Sequence, residues 1–274
     1  MSNSSICLDT VRVLWNRKQG SEYFQMGVAC RSSFDTAVPG QFVMVRSNAQ
    51  FQPLLRRPFS IHTLIRENGR VSGFEILYKV IGPGTQKLAL CRPGDAVDIL
   101  GPMGSGFSIT KDSGRIYMAA GGIGVAPFVF LTEALLQHGV VASGITLFLG
   151  GRSMHDLLCR DFFEKTGVDF RIATDDGSVG EKGLVTAPLA KAVAAEKPSL
   201  LYACGPVPML KSVVKIAAEH QIRCEISIET MMACGMGACL GCAVQSRLTE
   251  KKYFHACMDG PVFDAKDIYL NAIK

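Results

Sequence analysis

Four cysteines near the C-terminus, Cys234, Cys239, Cys242 and Cys257, are separated by four, two and fourteen residues. Three thiols therefore come from one tight loop, and the fourth returns after a short hairpin. This is the kind of spacing that ligates a 2Fe-2S cluster, and nothing else in the chain restricts its fold as strongly. Gly235, Gly237 and Gly241 lie between the ligands, where they let the backbone wrap closely and aim N–H groups at sulfur. Met231, Met232 and Leu240 are expected to shield the cluster from water. Two readings compete. Structural zinc usually pairs its ligands as two Cys-x-x-Cys knuckles, and here the last cysteine stands alone. Buried free thiols or disulfides need no glycines threaded between them. His255, two residues before Cys257, is read as a solvated or packing side chain.

The 274 residues suffice for two substantial cores, and 48% hydrophobic content is ordinary for a globular enzyme. The charge of +5 is spread without a basic run or aromatic interleaving, so nothing points to a nucleic-acid or membrane surface. The N-terminal stretch lacks a basic-then-apolar leader pattern. The longest uncharged run, Ile116 to Thr132, is broken by Gly121, Gly122, Gly124 and Pro127 and reads as strand, loop and helix instead of a membrane span. Six further cysteines are scattered singly, as buried thiols are in a reducing cytoplasm.

Three textures follow one another. Residues 1–106 alternate short β-type runs with turn signals; LDTVRVLW, EYFQMGVA, QFVMVRS, RPFSIHTLI, GFEILYKV and AVDIL predict a six-stranded antiparallel β-barrel, with one short helix at Gly84–Cys91. Residues 107–226 alternate strand and helix, with helices near Met154–Lys165 and Thr186–Ala195, and predict a doubly wound parallel sheet of five strands. Residues 227–274 form the small cluster domain. The fold class is thus α/β plus all-β.

Within the barrel, Arg57-Pro58-Phe59-Ser60 sets a cation, a rigid backbone, a ring and a hydroxyl in succession, which suits a planar ligand bearing phosphate; an ordinary strand start looks the same. Gly82-Pro83-Gly84-Thr85 opens a helix and is either a phosphate cradle or a hairpin turn. In the second domain, Gly121-Gly122-x-Gly124 follows a strand where a dinucleotide's phosphates could meet helix N–H groups, or where glycines merely permit close packing. Cys204-Gly205-Pro206 ends another strand at the same sheet edge.

In that order, these motifs resemble the ferredoxin-NADP reductase superfamily. Within it, PLLRRPFSI, the cysteine spacing and Cys257-Met-Asp-Gly-Pro-Val-Phe263 resemble the family of electron transfer subunits of dihydroorotate dehydrogenase B. The resemblance implies that Arg57, Pro58, Phe59 and Ser60 hold FAD, with Phe59 beside the isoalloxazine and Ser60 near its reactive nitrogen. It implies that Leu77, Tyr78 and Lys79 line the flavin, that Gly84 and Thr85 take its pyrophosphate, and that Gly121, Gly122, Gly124, Cys204, Gly205 and Pro206 receive the nicotinamide nucleotide. Cys234, Cys239, Cys242 and Cys257 would ligate the 2Fe-2S cluster. Nicotinamide exchanges two electrons as a hydride and a cluster passes one, so FAD between them converts one currency to the other. The implied partner is an FMN-containing catalytic subunit, two of each chain forming a heterotetramer in the cytoplasm, in which dihydroorotate is oxidised and electrons leave to NAD for pyrimidine biosynthesis. No motif for binding a pyrimidine acid, and no catalytic residue for its oxidation, is visible in this chain. Arg152 could meet a 2′-phosphate but reads as a solvated charge, so NAD is expected over NADP. Related FAD/2Fe-2S subunits of NADPH-ferredoxin transhydrogenases, sulfide dehydrogenases and hydrogenases are the alternative, and a zinc-stabilised scaffold without redox function is the alternative from another class.

Overall fold

The computed structural model describes residues 6–30, 32–47, 53–110, 114–249 and 251–270. The first five residues of the N-terminal stretch and the last four of the expected cluster domain lie outside the described residues.

The first unit holds strands β1 (Cys7–Lys18), β2 (Tyr23–Ala29), β3 (Phe42–Ser47), β4 (Arg57–Ser60), β5 (Thr63–Glu67) and β6 (Arg70–Lys79), then helix α1 (Pro83–Ala89) and strand β7 (Ala96–Met103). They form one antiparallel sheet in the order β4-β3-β7-β1-β2-β6-β5. The run RPFSIHTLI is therefore two strands and not the single one expected. Its halves pair with β3 and β6 at opposite edges of the sheet. Ile61 N–H donates to Gln41 O at 3.0 Å and His62 N–H to Glu75 O at 2.8 Å, so the two-residue junction is bonded to both edges and the sheet curls into a half-barrel.

The second unit alternates β8 (Ile116–Gly121), α2 (Ala126–Gln137), β9 (Ile145–Gly151), α3 (Arg160–Thr166), β10 (Asp169–Thr174), β11 (Glu181–Lys182), α4 (Thr186–Ala195), β12 (Leu200–Cys204), α5 (Val207–Glu219) and β13 (Arg223–Ser227). The expected parallel sheet of five strands is present and gains β11 at one edge. The helix expected near Met154–Lys165 begins only at Arg160. Cys159 takes a left-handed backbone with φ +62°, and the Asp156 carboxylate turns back to the Arg152 N–H and the Tyr23 hydroxyl.

In the third unit β14 (Ala243–Gln245) and β15 (Tyr253–His255) form the hairpin between Cys242 and Cys257. The segment is not self-contained. Its last strand, β16 (Val262–Asp264), pairs antiparallel with β13 and extends the second sheet. The three cores interlock as well. Cys242, Val244 and Cys257 pack in one buried cluster with Phe42, Met44 and Met103 of the barrel, while Phe130 of α2 is buried in the barrel core. A buried phenylalanine contributes about 2–3 kcal/mol by its area, so each seam is a stabilising contact. Among the described residues no helix is long and apolar enough to cross a membrane.

Candidate functional site

The cluster loop, residues 231–242, shows how its glycines work. Gly235 and Gly237 have φ of +76° and +77°, and Leu240 has φ +58°, a left-handed winding that only glycine adopts without cost. The amides of Met236 and Cys239 donate to Cys234 Sγ at 3.4 Å, and that of Gly237 to Cys257 Sγ at 3.2 Å. Cys242 Sγ lies 3.3 Å from Cys257 Sγ. Burial works to raise the Cys234 thiol, but amides of Met236, Cys239 and Ala238 outweigh it and draw its pKa down to about 7. Burial and the neighbouring Cys242 thiol push Cys257 up to about 12. Sulfurs met by inward-turned amides fit a thiolate-ligated cluster, whose negative charge such donors stabilise. Among the described residues no three Cys, His, Asp or Glu side chains converge at the distance a single metal ion requires. The fit therefore rests on the amides and the glycine backbone.

The expected shield divides. Met231 and Leu240 are 79% and 60% exposed, whereas Met232 packs inward and lines the neighbouring cavity. His255 belongs to a turn closed by Asp259, whose carboxylate accepts its backbone N–H at 2.6 Å.

That neighbouring cavity, about 490 Å³, is lined by every residue expected to hold the flavin: Arg57, Pro58, Phe59, Ser60, Leu77, Tyr78, Lys79, Gly84 and Thr85. Arg57 crosses directly over Gly84, where a Cβ would stand 2.5 Å from Nε, so the two motifs read separately in the sequence are one surface. Phe59 packs on Tyr78 with ring centroids 5.6 Å apart, and the Tyr78 hydroxyl donates to Asn16 Oδ1 at 3.1 Å. Thr85 Oγ1 accepts from the Ile81 and Gly82 amides at 2.9 and 3.2 Å and donates to Gly82 O at 3.0 Å. Its hydroxyl shapes the turn, which leaves the glycine backbone to face an anion.

A second cavity of about 580 Å³ takes in Gly121, Gly122, Gly205 and Pro206. Gly122, with φ +53°, has nothing within 4 Å of a Cβ position. Cys204 lines the flavin cavity instead, and Gly124 lines neither. A Cβ on Gly124 would stand 2.3 Å from Cys204 O and 2.6 Å from its carbonyl carbon, so this glycine permits close packing. Both colliding atoms are backbone. Gly124→Ala is therefore expected to lower Tm by about 5–10 °C, the effect of overpacking by about 2–3 kcal/mol in a chain of this size; an unchanged melting curve would contradict the assignment.

Lys79, Ile123 and Glu229 line both cavities. None of these shared positions was legible as such, although Glu229 is an acid closing the apolar strand CEISIE. Its side chain is open to the cleft yet ringed by protein, and burial raises its carboxyl pKa. Tyr23 also escaped the sequence reading. It reaches from the barrel to donate to Asp156 at 2.6 Å, and Lys79 lies over its ring and pairs with Glu22 at 3.1 Å. Arg152 lines the second cavity with its guanidinium 3.6 Å from Asp156, and the Asp175 carboxylate lines it too. Both cations of this cavity are matched, Arg152 by Asp156 and Lys79 by Glu22, and Asp175 adds an acid beside them, an arrangement that favours a ribose hydroxyl over a 2′-phosphate.

Comparison with known proteins adds three findings. Residues 229–269 match the family model for the iron-sulfur cluster binding domain of dihydroorotate dehydrogenase B, and residues 118–215 match the oxidoreductase NAD-binding domain. The chain is 41% identical over 231 residues to a Desulforamulus reducens protein named dihydroorotate dehydrogenase B (NAD(+)), electron transfer subunit, covering 83% of this chain and 85% of that one. A Caldanaerobacter subterraneus protein of the same name is 36% identical, covering 94% and 96%. Among solved structures, an NADH-dependent reduced ferredoxin-NADP oxidoreductase superposes with a TM-score of 0.82 at 26% identity, covering 96% of this chain and 91% of that one. A Neisseria gonorrhoeae ferredoxin NADP+ reductase with bound FAD and NADP gives 0.64 at 17% identity, over 81% and 99%, and shows the shared fold.

Proposed function

The chain belongs to the family of electron transfer subunits of NAD(+)-linked dihydroorotate dehydrogenase B, and from that membership we propose that it carries electrons from an FMN-containing catalytic partner through a 2Fe-2S cluster and FAD to NAD+. The observation that carries this reading is contiguity. Met232 lines the flavin cavity two residues from Cys234, and Lys79, Ile123 and Glu229 are shared by the flavin and nucleotide cavities. FAD, when bound, supplies the exchange between two-electron hydride and single-electron chemistry. The protein's own part is placement. Arg57 and the turn at Gly84 present positive charge and N–H groups to phosphate, Phe59 and Tyr78 wall the ring system, and Gly122 leaves open backbone for the nucleotide. The alternative subunits of transhydrogenase, sulfide dehydrogenase or hydrogenase complexes are less favoured, because the relatives at 34–41% identity bear the dihydroorotate dehydrogenase name. The six cysteines outside the cluster set, each without a disulfide, support a reducing compartment, the cytoplasm.

The partner's docking face is the rim of the cluster loop. Met231, Met236, Leu240 and Met258 are 79, 52, 60 and 45% exposed; the first three belong to the same loop as the exposed Cys239, and Met258 lies against Gly237 of that loop. Exposed apolar side chains grouped beside a redox centre mark an interface. Introducing Met236→Asp and Leu240→Asp together is expected to weaken binding of the catalytic subunit about 30-fold or more, with iron and FAD content unchanged; undiminished complex formation by gel filtration would refute this face. The family resemblance supports two of each chain in the complex, which its mass in solution checks.

A further inference from the structure

The junction between β4 and β5 is two residues long, and the second of them, His62, is 4% exposed. Besides its bond to Glu75 inside the barrel, it grips α2 at two points. Its carbonyl accepts from the Phe130 N–H at 3.0 Å, and its ring Nδ1 donates to Ala126 O at 2.6 Å. Ala126 O and Phe130 N–H are the acceptor and donor that the first turn of an α-helix joins to each other. One residue further on, Thr63 Oγ1 donates to Glu133 at 2.6 Å. Two consecutive barrel residues thus hold the first two turns of α2. Burial keeps the ring neutral, with a pKa lowered to about 4. The bare Nε2 faces Cys159 Sγ at 4.0 Å, where α3 is broken.

The places joined by this clamp are the two sides of the reaction cleft. Ser60, two residues before His62, lines the flavin cavity, as do Ala126 and Pro127 at the start of α2. Ile123, just ahead of the helix, lines both cavities. We propose that His62 is a positioning residue for hydride exchange between nicotinamide and flavin: it fixes how closely the start of α2, and a nucleotide held at Gly121, Gly122 and Ile123, approaches the flavin-binding strand. This inference rests on the assignment of FAD and NAD to the two cavities. A displacement of about 1 Å between reacting groups can cost about 100-fold in rate.

The test uses the full chain loaded with FAD and cluster, as wild type, His62→Ala and His62→Asn. Flavin reduction by NADH is followed by anaerobic stopped flow, and hydrogen exchange is followed at the Phe130 amide. His62→Ala is expected to lower the limiting reduction rate about 10-fold or more, with the half-saturating NADH concentration changed less than about twofold. The Phe130 N–H bonds to the main-chain carbonyl of residue 62, which the variant keeps, so its expected rise in exchange, about 10-fold, reports loosening of the whole seam once the ring's bond to Ala126 O is gone. His62→Asn, whose amide N–H stands in for Nδ1–H, should restore both. An unchanged limiting rate in His62→Ala at full FAD occupancy overturns the proposal, as does His62→Asn being as slow as His62→Ala. Should His62→Ala fail to fold, His62→Leu against His62→Asn makes the same comparison. If the wild-type chain is not reduced by NADH, the cofactor assignment has failed instead. Exchange at Phe130 then decides the clamp alone: lost protection in His62→Ala upholds it and retained protection overturns it.

Discussion

Cys257→Ala is expected to strip the chain of iron, abolishing the cluster's visible absorption, while FAD stays bound and is still reduced by NADH. Cys257 is fully buried, its sulfur accepts the Gly237 amide at 3.2 Å and lies 3.3 Å from Cys242 Sγ. The flavin cavity, by contrast, is walled by the barrel, α2 and residues no later than Met232 apart from Pro261, so it should outlast the cluster. Because cluster binding and local folding are one event, the hairpin of residues 243–255 should also become sensitive to protease. Iron analysis and limited proteolysis check both parts. Cys91→Ala, at a half-buried thiol beneath α1 whose sulfur donates to Lys87 O at 3.5 Å, is the control and should keep its iron. Full iron in Cys257→Ala would contradict the ligand assignment.

Arg57→Ala is expected to weaken FAD binding about 100-fold, so that the purified protein emerges largely without flavin. Losing a charged group that pairs with a buried or half-buried phosphate costs about 2–5 kcal/mol. Arg57→Lys should recover little, because an ammonium cannot present the planar fork. Gly84→Ala offers a graded comparison. The three atoms nearest its Cβ position all belong to the Arg57 side chain, at 2.5–3.0 Å, so the guanidinium can swing aside and the fold should survive with weaker flavin binding. Equilibrium titration of FAD against the three variants orders them. Wild-type affinity in Arg57→Ala would remove Arg57 from the site.

How much of this was legible in the sequence depends on the range of the interaction. The strand runs of the first unit and α4 at Thr186–Ala195 are written in local pattern, and the structure follows them. The strand run RPFSIHTLI gives no local sign that it divides, because apolar character continues across Ile61 and only pairing with two distant partners, β3 and β6, separates the halves. The break before α3 is hidden for a similar reason. It sits at a cysteine with φ +62° and not at a glycine or proline, and is accompanied by the long-range bond from Tyr23 to Asp156. Gly122 and Gly124 are indistinguishable in the motif, yet one opens onto a cavity and the other lies against the Cys204 carbonyl. The sharing of Lys79, Ile123 and Glu229 between cavities arises only when barrel and sheet are brought together.

The central claim is that cluster, flavin and nicotinamide sites form one electron path. An anaerobic visible spectrum of the purified chain, recorded before and after NADH and then NADPH, tests it most directly. The account predicts flavin and 2Fe-2S bands that both bleach with NADH, with NADPH far less effective. A colourless zinc-containing protein, a flavin that bleaches while the cluster does not, or bleaching by NADPH alone would contradict it.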